Sequence, residues 1–360
     1  MLPAAGCCIS FLKNKTRRQA MKKTLIALAT LSAFAGTVQA QSNVTLYGQV
    51  DAGLRNLSNA DADGGSKLGM SSSGTYHSNR FGFKGSEDLG NALKANFQLE
   101  GGFDSGTGVG NKGLFDRTAS VGLSGAFGRV DLGRQYTIAY DVNAAYDPMA
   151  HKYTGITPVT GASMGTRNDN AIKYSGTFGA FTGRAAYAAG EQPGGTSNGS
   201  TQALGLNYDN GPLSLGGAYT QTKDVLGRGA DVENYTVGGA YTIGVVKLSA
   251  GYADQTLDMV RTADTTDKWA WVGAAYQVSP VLELSAAFYQ VKSNKADLDG
   301  KRDLFMLSSV YSLSKRTKLY AEIDHSKVNG ATHFSNASST SIVNNNDNQL
   351  GVSAGMVHYF

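Results

Sequence analysis

The sequence predicts an all-β protein: sixteen antiparallel strands in an up-and-down meander, closed into a transmembrane barrel. Three observations predict it. Apolar and polar residues alternate with period two in run after run, and no long stretch of the 360 residues sustains a helical period. The connections between these runs alternate between short turns and longer polar loops. The alternation also continues to the last residue, Phe360, although chain ends are ordinarily polar and frayed.

The first segment in order is not a strand. From Met21 the chain reads "MKKTLIALATLSAFAGTVQA": Lys22 and Lys23, a short apolar stretch, then Val38-Gln39-Ala40. This is the pattern of a secretory signal peptide over 21–40, cut after Ala40, and its apolar part is too short for a comfortable membrane span. Residues 1–20 differ in character and hold both cysteines, Cys7 and Cys8. They read as an upstream extension from a misplaced start, with an unusually long basic leader as the alternative. Residues 1–40 carry six of the 32 basic residues and no acidic one, so removing them leaves 26 basic against 28 acidic residues, a formal charge of −2. Charge therefore argues against a nucleic-acid partner. The remaining 41–360 contain no cysteine, so an exported chain gains its stability without disulfides.

The strands follow as one domain over 41–360. "VTLYGQVDAGL" opens the first, 44–57: Leu46, Val50, Ala52 and Leu54 fall on one side, Thr45, Tyr47, Gln49 and Asp51 on the other. Further alternating runs are expected at 75–87, 90–104, 115–125, 129–137, 169–178, 181–190, 201–209, 213–222, 231–243, 245–257, 267–278, 281–292, 301–312, 316–329 and 347–360. Turns such as "DLG", "AFG", "DNGP" and "SP" join them on one side. Longer polar segments, including 58–74, 138–168, 293–300 and 330–346, join them on the other. Pro148, Pro158, Pro193, Pro212 and Pro280 all fall in connections, as a sheet that needs every N–H requires.

The pattern alone leaves two readings of which face is inside. A soluble sheet protein buries its apolar face, whereas a membrane barrel turns it to lipid. Two features favour the barrel. Gly and Ala on the apolar phase (Ala218, Ala274, Ala286) suit a lipid or subunit face better than a thick core. Tyr174, Tyr208, Tyr241, Tyr276, Tyr311 and Tyr359 recur near strand ends, where amphipathic rings meet a membrane boundary. In lipid no sheet edge can stay open, so the strand ending at Phe360 is expected to pair along Val44–Leu54.

Four stretches carry a resemblance over essentially all of 41–360: "SNVTLYGQVDAGL", "SNRFGFKGSEDLGNALKANFQLEGGF", "FDRTASVGLSGAFGRVDLGRQYT" and the ending "GMVHYF". The chain resembles the trimeric general porins of the Gram-negative outer membrane, of β-proteobacterial type. The resemblance implies a homotrimer among outer-membrane lipid and lipopolysaccharide, and a third loop folded into each pore. It also implies passive diffusion of ions and small hydrophilic solutes, and a terminal aromatic, Phe360, read by the outer-membrane assembly machinery.

It further implies a constriction with basic residues on the wall and acidic residues on the inward loop. Arg80 and Lys84 oppose Phe81 and Phe83 in phase and face the lumen; Arg167 opposes Ile172 and Tyr174 and does the same. Arg117 matches by motif, although its phase is that of Ala119, Val121 and Leu123. Asp141 and Asp147 match the acidic loop positions, and Gln49 stands where relatives carry a basic wall residue. Arg134 shares phase with Val130 and Leu132, so it is expected at the strand's outer end or at the trimer contact. The arginines argue for a weak anion preference against a slightly acidic total. No cofactor is expected: the five histidines lack metal spacing and no nucleophile motif occurs. A barrel enzyme such as a lipase, and an exported soluble ligand-binding β-protein, are the competing classes.

Overall fold

The computed structural model describes residues 43–61, 63–70, 75–153, 165–260, 263–295, 298–330 and 347–360. The expected extension, signal peptide and cleavage site lie outside them. The strands are β1 Asn43–Leu57, β2 Lys67–Met70, β3 Arg80–Gly90, β4 Leu93–Gly102, β5 Thr118–Gly125, β6 Gly128–Tyr136, β7 Arg167–Phe178, β8 Phe181–Ala188 and β9 Thr201–Asn210. They continue as β10 Leu213–Thr222, β11 Val232–Ile243, β12 Val246–Leu257, β13 Thr265–Ser279, β14 Leu282–Lys295, β15 Leu298–Ser312, β16 Thr317–Gly330 and β17 Asn348–Tyr359. Each pairs antiparallel with its neighbour and β17 returns to β1, closing the ring. The four-residue β2 is a short addition on β1, which leaves the expected sixteen barrel strands.

The faces are those of a barrel in lipid. Large apolar side chains such as Leu46, Leu54, Val121, Leu132, Ile172, Leu204, Val237, Val272 and Val352 lie exposed on the outside. The buried inward set includes polar and charged groups, Asp51, Glu100, Asn207, Thr236, Arg302, Glu322 and Asp324, beside apolar residues such as Trp271, Tyr289, Leu304 and Met306 that cluster with Tyr76, Met149 and Tyr153. Inversion of this kind leaves the apolar band to be covered by acyl chains while the interior holds water and charge. Tyr208, Tyr241, Tyr276 and Tyr311 sit beside the short turns, as a boundary row requires; Tyr241, for example, faces Leu213 of β10 and Leu248 of β12. Tyr359 departs from that row. It points inward, its hydroxyl 3.2 Å from His77 Nδ1, and Phe360 takes the outward position.

The seam is shifted from the expected register. Gln49 pairs with Tyr359 and Leu57 with Gly351, and two 3.1 Å backbone hydrogen bonds tie Gly48 to Phe360. Residues Asn43 to Gln49 pair instead with β3, so β1 serves its two neighbours with different halves, as strand tilt in a closed barrel demands. On the β3 side, between Gln49 and the β2 pairing that begins at Leu54, the edge of β1 is met by side-chain hydrogen bonds. The Asp51 N–H donates to Asn79 Oδ1 at 2.5 Å, and the Asp51 carboxylate accepts from the N–H groups of Tyr76 and His77. That inward pull is why β3 begins at Arg80 rather than near residue 75. At the other boundary β14 and β15 extend further than expected, to Lys295 and Leu298, so little of 293–300 is loop.

The largest departure is in the long connection 137–166. It contains a helix, α1 Ile138–Tyr146, capped by Thr137, whose side chain accepts from the Tyr140 N–H. Asp141 in the first turn complements the helix dipole. The helix lies inside the barrel: Ile138, Ala139, Val142 and Tyr146 pack on Ala203, Ala218 and Ala240 of the inner wall. Ala218 is therefore a seat for α1, not a lipid-facing residue. Gly205 and Gly238 belong to the same seat, since a Cβ at the first would collide with the Ile138 side chain and one at the second would come within 2.9 Å of the Tyr146 side chain.

Candidate pore constriction

The inward connection is pinned throughout its described part, from α1 to Tyr153. Asn143 accepts from Thr236, the Tyr146 hydroxyl accepts from Asn207 Nδ2 at 2.7 Å, and the Tyr146 carbonyl accepts from Trp271 Nε1 at 3.0 Å. Beyond the helix, Asp147 accepts from the Tyr289 hydroxyl and from the N–H groups of Met149 and His151. The Tyr153 N–H then reaches the Tyr76 carbonyl at 2.7 Å. The described part of the loop is thus a fixed internal partition, and what faces its free side is the wall formed by β3 to β7.

Three arginines meet on that wall. Arg117 lies just before β5, outside the alternation of Ala119, Val121 and Leu123, which is why its phase misleads and its side chain turns in. Its Nε donates to Glu100 Oε1 at 2.7 Å and its Nη2 to the Tyr136 hydroxyl at 3.0 Å. Arg80 Nη1 is 3.9 Å from the same Glu100 oxygen. Arg167 lies over the Tyr136 ring, 4.3 Å from its centroid. Lys173 joins them, its Nζ donating to the Tyr136 carbonyl at 3.0 Å and to Asp141 Oδ2 at 3.1 Å. Four cations therefore face two carboxylates, Glu100 and Asp141, for a local excess of two positive charges.

Two expected members stand elsewhere. Lys84 is four residues along β3 from Arg80, about 13 Å at strand rise, and sits 5.1 Å over the Tyr47 ring. Asp147 is on the inward loop, but it is 4% exposed and committed to Tyr289 and backbone N–H groups. Its carboxylate holds the loop in place and does not face the open lumen. Beside it, burial pushes His151 below its ordinary imidazole range, so the ring stays neutral and adds no charge to the loop. Burial likewise pushes the Tyr140 hydroxyl up to about 12. Tyr140 stacks on Tyr136 with ring centroids 4.5 Å apart and an interplanar angle of 5°.

Sequence reasoning missed Glu100, Tyr136 and Lys173 as members of this site. Glu100 was legible, since it shares phase with Lys94, Asn96 and Gln98 in "LKANFQLEGG". It also missed an inward group formed by β1 and β16, where Arg55 bridges Glu322 at 3.1 Å and Asp324 at 2.7 Å. Arg302 lies within Coulombic reach of Asp324 and balances that group. Gln49, on the same wall, donates to the Ser78 carbonyl at 2.9 Å. Among the described residues no group of three His, Cys, Asp or Glu is placed to hold a metal.

Arg134 is on the outer face, at the end of β6. It pairs with Asp169 of β7, and its Nε donates to the Asp116 carbonyl at 2.5 Å. A lone guanidinium facing mid-bilayer would cost about 2–4 kcal/mol, so the strand-end position and the carboxylate partner account for how it is tolerated.

The family description Gram-negative porin matches residues 26–331. The chain is 36% identical to outer membrane porin protein 32 of Delftia acidovorans, over 94% of this chain and all of that one. It is 32% identical to an outer membrane porin protein of Bordetella pertussis, over 85% of this chain and 94% of that one. Among solved structures it superposes on an anion-selective porin from Comamonas acidovorans with a TM-score of 0.77 and 31% identity, covering 89% of this chain and all of the other.

Proposed function

The chain belongs to the Gram-negative porin family, and on that premise we propose that its barrel is an anion-preferring diffusion pore whose selectivity is set by the wall arginines. The protein is an integral β-barrel of the outer membrane, a water-filled channel for passive passage of ions and small hydrophilic solutes. The observation that carries the selectivity reading is the convergence of Arg80, Arg117, Arg167 and Lys173 on one wall opposite the loop helix, with only Glu100 and Asp141 to offset them. At such close range inside a narrow polar lumen, charges act on passing ions with little screening. The anion selectivity named for the Comamonas relative supports the same sign.

The assembly is read as a homotrimer, with the Arg134–Asp169 pair under a neighbouring subunit. Burial there would shield from lipid the charges that a free barrel leaves half-exposed. Detergent-extracted protein added to a planar bilayer should insert as conductances that close in three equal steps; single-step closure would refute the trimer, and absence of any conductance would refute the pore. Arg134→Ala should make the assembly dissociate at lower temperature in mild detergent while leaving conductance unchanged. Assemblies as heat-resistant as the parent would place the pair outside the contact.

A further inference from the structure

Among the described residues, Tyr136 touches two of the wall arginines and the loop helix at once. Its hydroxyl accepts from Arg117 Nη2 at 3.0 Å, one ring face carries the Arg167 guanidinium at 4.3 Å, and it stacks with Tyr140 of α1 at 4.5 Å. Its carbonyl also accepts from Lys173, at 3.0 Å. Arg167 Nε and Nη2 have no hydrogen-bond partner among the described residues, so the stack is the contact that orients its guanidinium.

The backbone is built to aim this ring. β6 carries a bulge between Gly133 and Gln135, with Gly133 at φ +117°, a conformation L side chains rarely adopt. The buried Gln135 amide braces the bulge by donating to the Asp131 carbonyl at 3.1 Å, with longer reaches to the Gly133 and Ala171 carbonyls. Beyond the bulge, Tyr136 pairs directly with Arg167 across β6 and β7, the register in which cross-strand side chains meet. The next residue, Thr137, caps α1. Wall arginines and loop helix are therefore indexed to one ring.

We propose that Tyr136 is the positioning residue of the selectivity wall: it holds the Arg167 guanidinium over its ring and fixes the loop helix against it, so that the positive charge stands at a set place across the pore. A guanidinium released from the ring would spread over many rotamers and dilute its field along the lumen. The proposal rests on the anion-preferring reading, and its test separates the two. Permeability ratios are measured from reversal potentials for the parent, Tyr136→Leu, Tyr136→Phe and Arg167→Lys. Tyr136→Leu should lower the anion-to-cation ratio about two-fold or more, as loss of a cation–π contact of this class predicts, in channels that still insert and close normally. Tyr136→Phe keeps the ring and should stay near the parent, because Arg117 retains Glu100. Arg167→Lys keeps the charge but not the planar stack and should fall as Tyr136→Leu does, a result that needs no change at Tyr136. In an Arg167→Gln background Tyr136→Leu should add little. An anion-preferring parent whose ratio is unchanged in either Tyr136→Leu or Arg167→Lys overturns the positioning role alone. A parent without anion preference overturns the selectivity reading and, with it, this proposal.

Discussion

Replacing Arg80 and Arg167 together by glutamine should abolish the channel's preference for anions. The local excess of two positive charges then falls to zero, because Arg117 and Lys173 remain against Glu100 and Asp141. A wall potential on the order of half a kT per charge, acting in opposite senses on anion and cation, makes the expected drop in anion-to-cation permeability roughly seven-fold. Arg117 is deliberately left in place. It is buried against the Glu100 carboxylate at 2.7 Å, and removing it would strand a buried charge at a cost of about 3–5 kcal/mol. The double variant thus changes the field while sparing the pair that holds the wall together. Reversal potentials measured beside single-channel conductance check this; an unchanged ratio would mean that ions are selected elsewhere along the lumen.

The second large effect should come from residues with no charge at all. Gly205→Val with Gly238→Leu fills the seat on which α1 rests, where even a Cβ collides with Ile138 and meets Tyr146 at 2.9 Å. Overpacking of this kind costs about 1–3 kcal/mol per site. The wall strands are locked on both sides by their ladders, so the loop is what must yield. Displacement of α1 should widen the pore and raise single-channel conductance about two-fold or more, while the anion preference falls because ions in a wider, wetter lumen pass farther from the wall charges and are better screened from them. Parent-like conductance from correctly folded barrels would show that the loop does not limit the pore.

Most of the barrel could be read from the chain because the bilayer imposes a rule that leaves a trace at every second residue. Leu46, Val50 and Leu54 against Tyr47, Gln49 and Asp51 set both the strand and its facing, and β9 and β10 lie within a residue of their expected bounds. The departures have physical causes that period-two patterning does not record. The strand at 75–87 starts late because the Asp51 carboxylate draws the Tyr76 and His77 N–H groups into the lumen. Helix α1 is nine residues long, and its apolar face of Ile138, Val142 and Tyr146 packs on a wall of small residues, of which Ala218 reads from composition as facing lipid or a subunit.

The site divides the same way. Arg80 and Arg167 obey the alternation and could be placed from it. Arg117 could not, because it precedes its strand. Asp147 was read as a lumen charge because sequence cannot tell a carboxylate facing water from one consumed by Tyr289 and the Met149 and His151 N–H groups. The role of Tyr136 depends on a bulge and on its register with Arg167, neither of which leaves a mark in an alternating string.

The central claim is that the wall arginines outweigh the carboxylates where the pore is narrowest. The reversal potential of the parent channel in a planar bilayer under a potassium chloride gradient tests it most directly. The sign should be that of chloride moving more freely than potassium, and the preference should weaken as salt is raised and the wall charges are screened. A reversal potential of cation-selective sign, at any salt concentration, would contradict it.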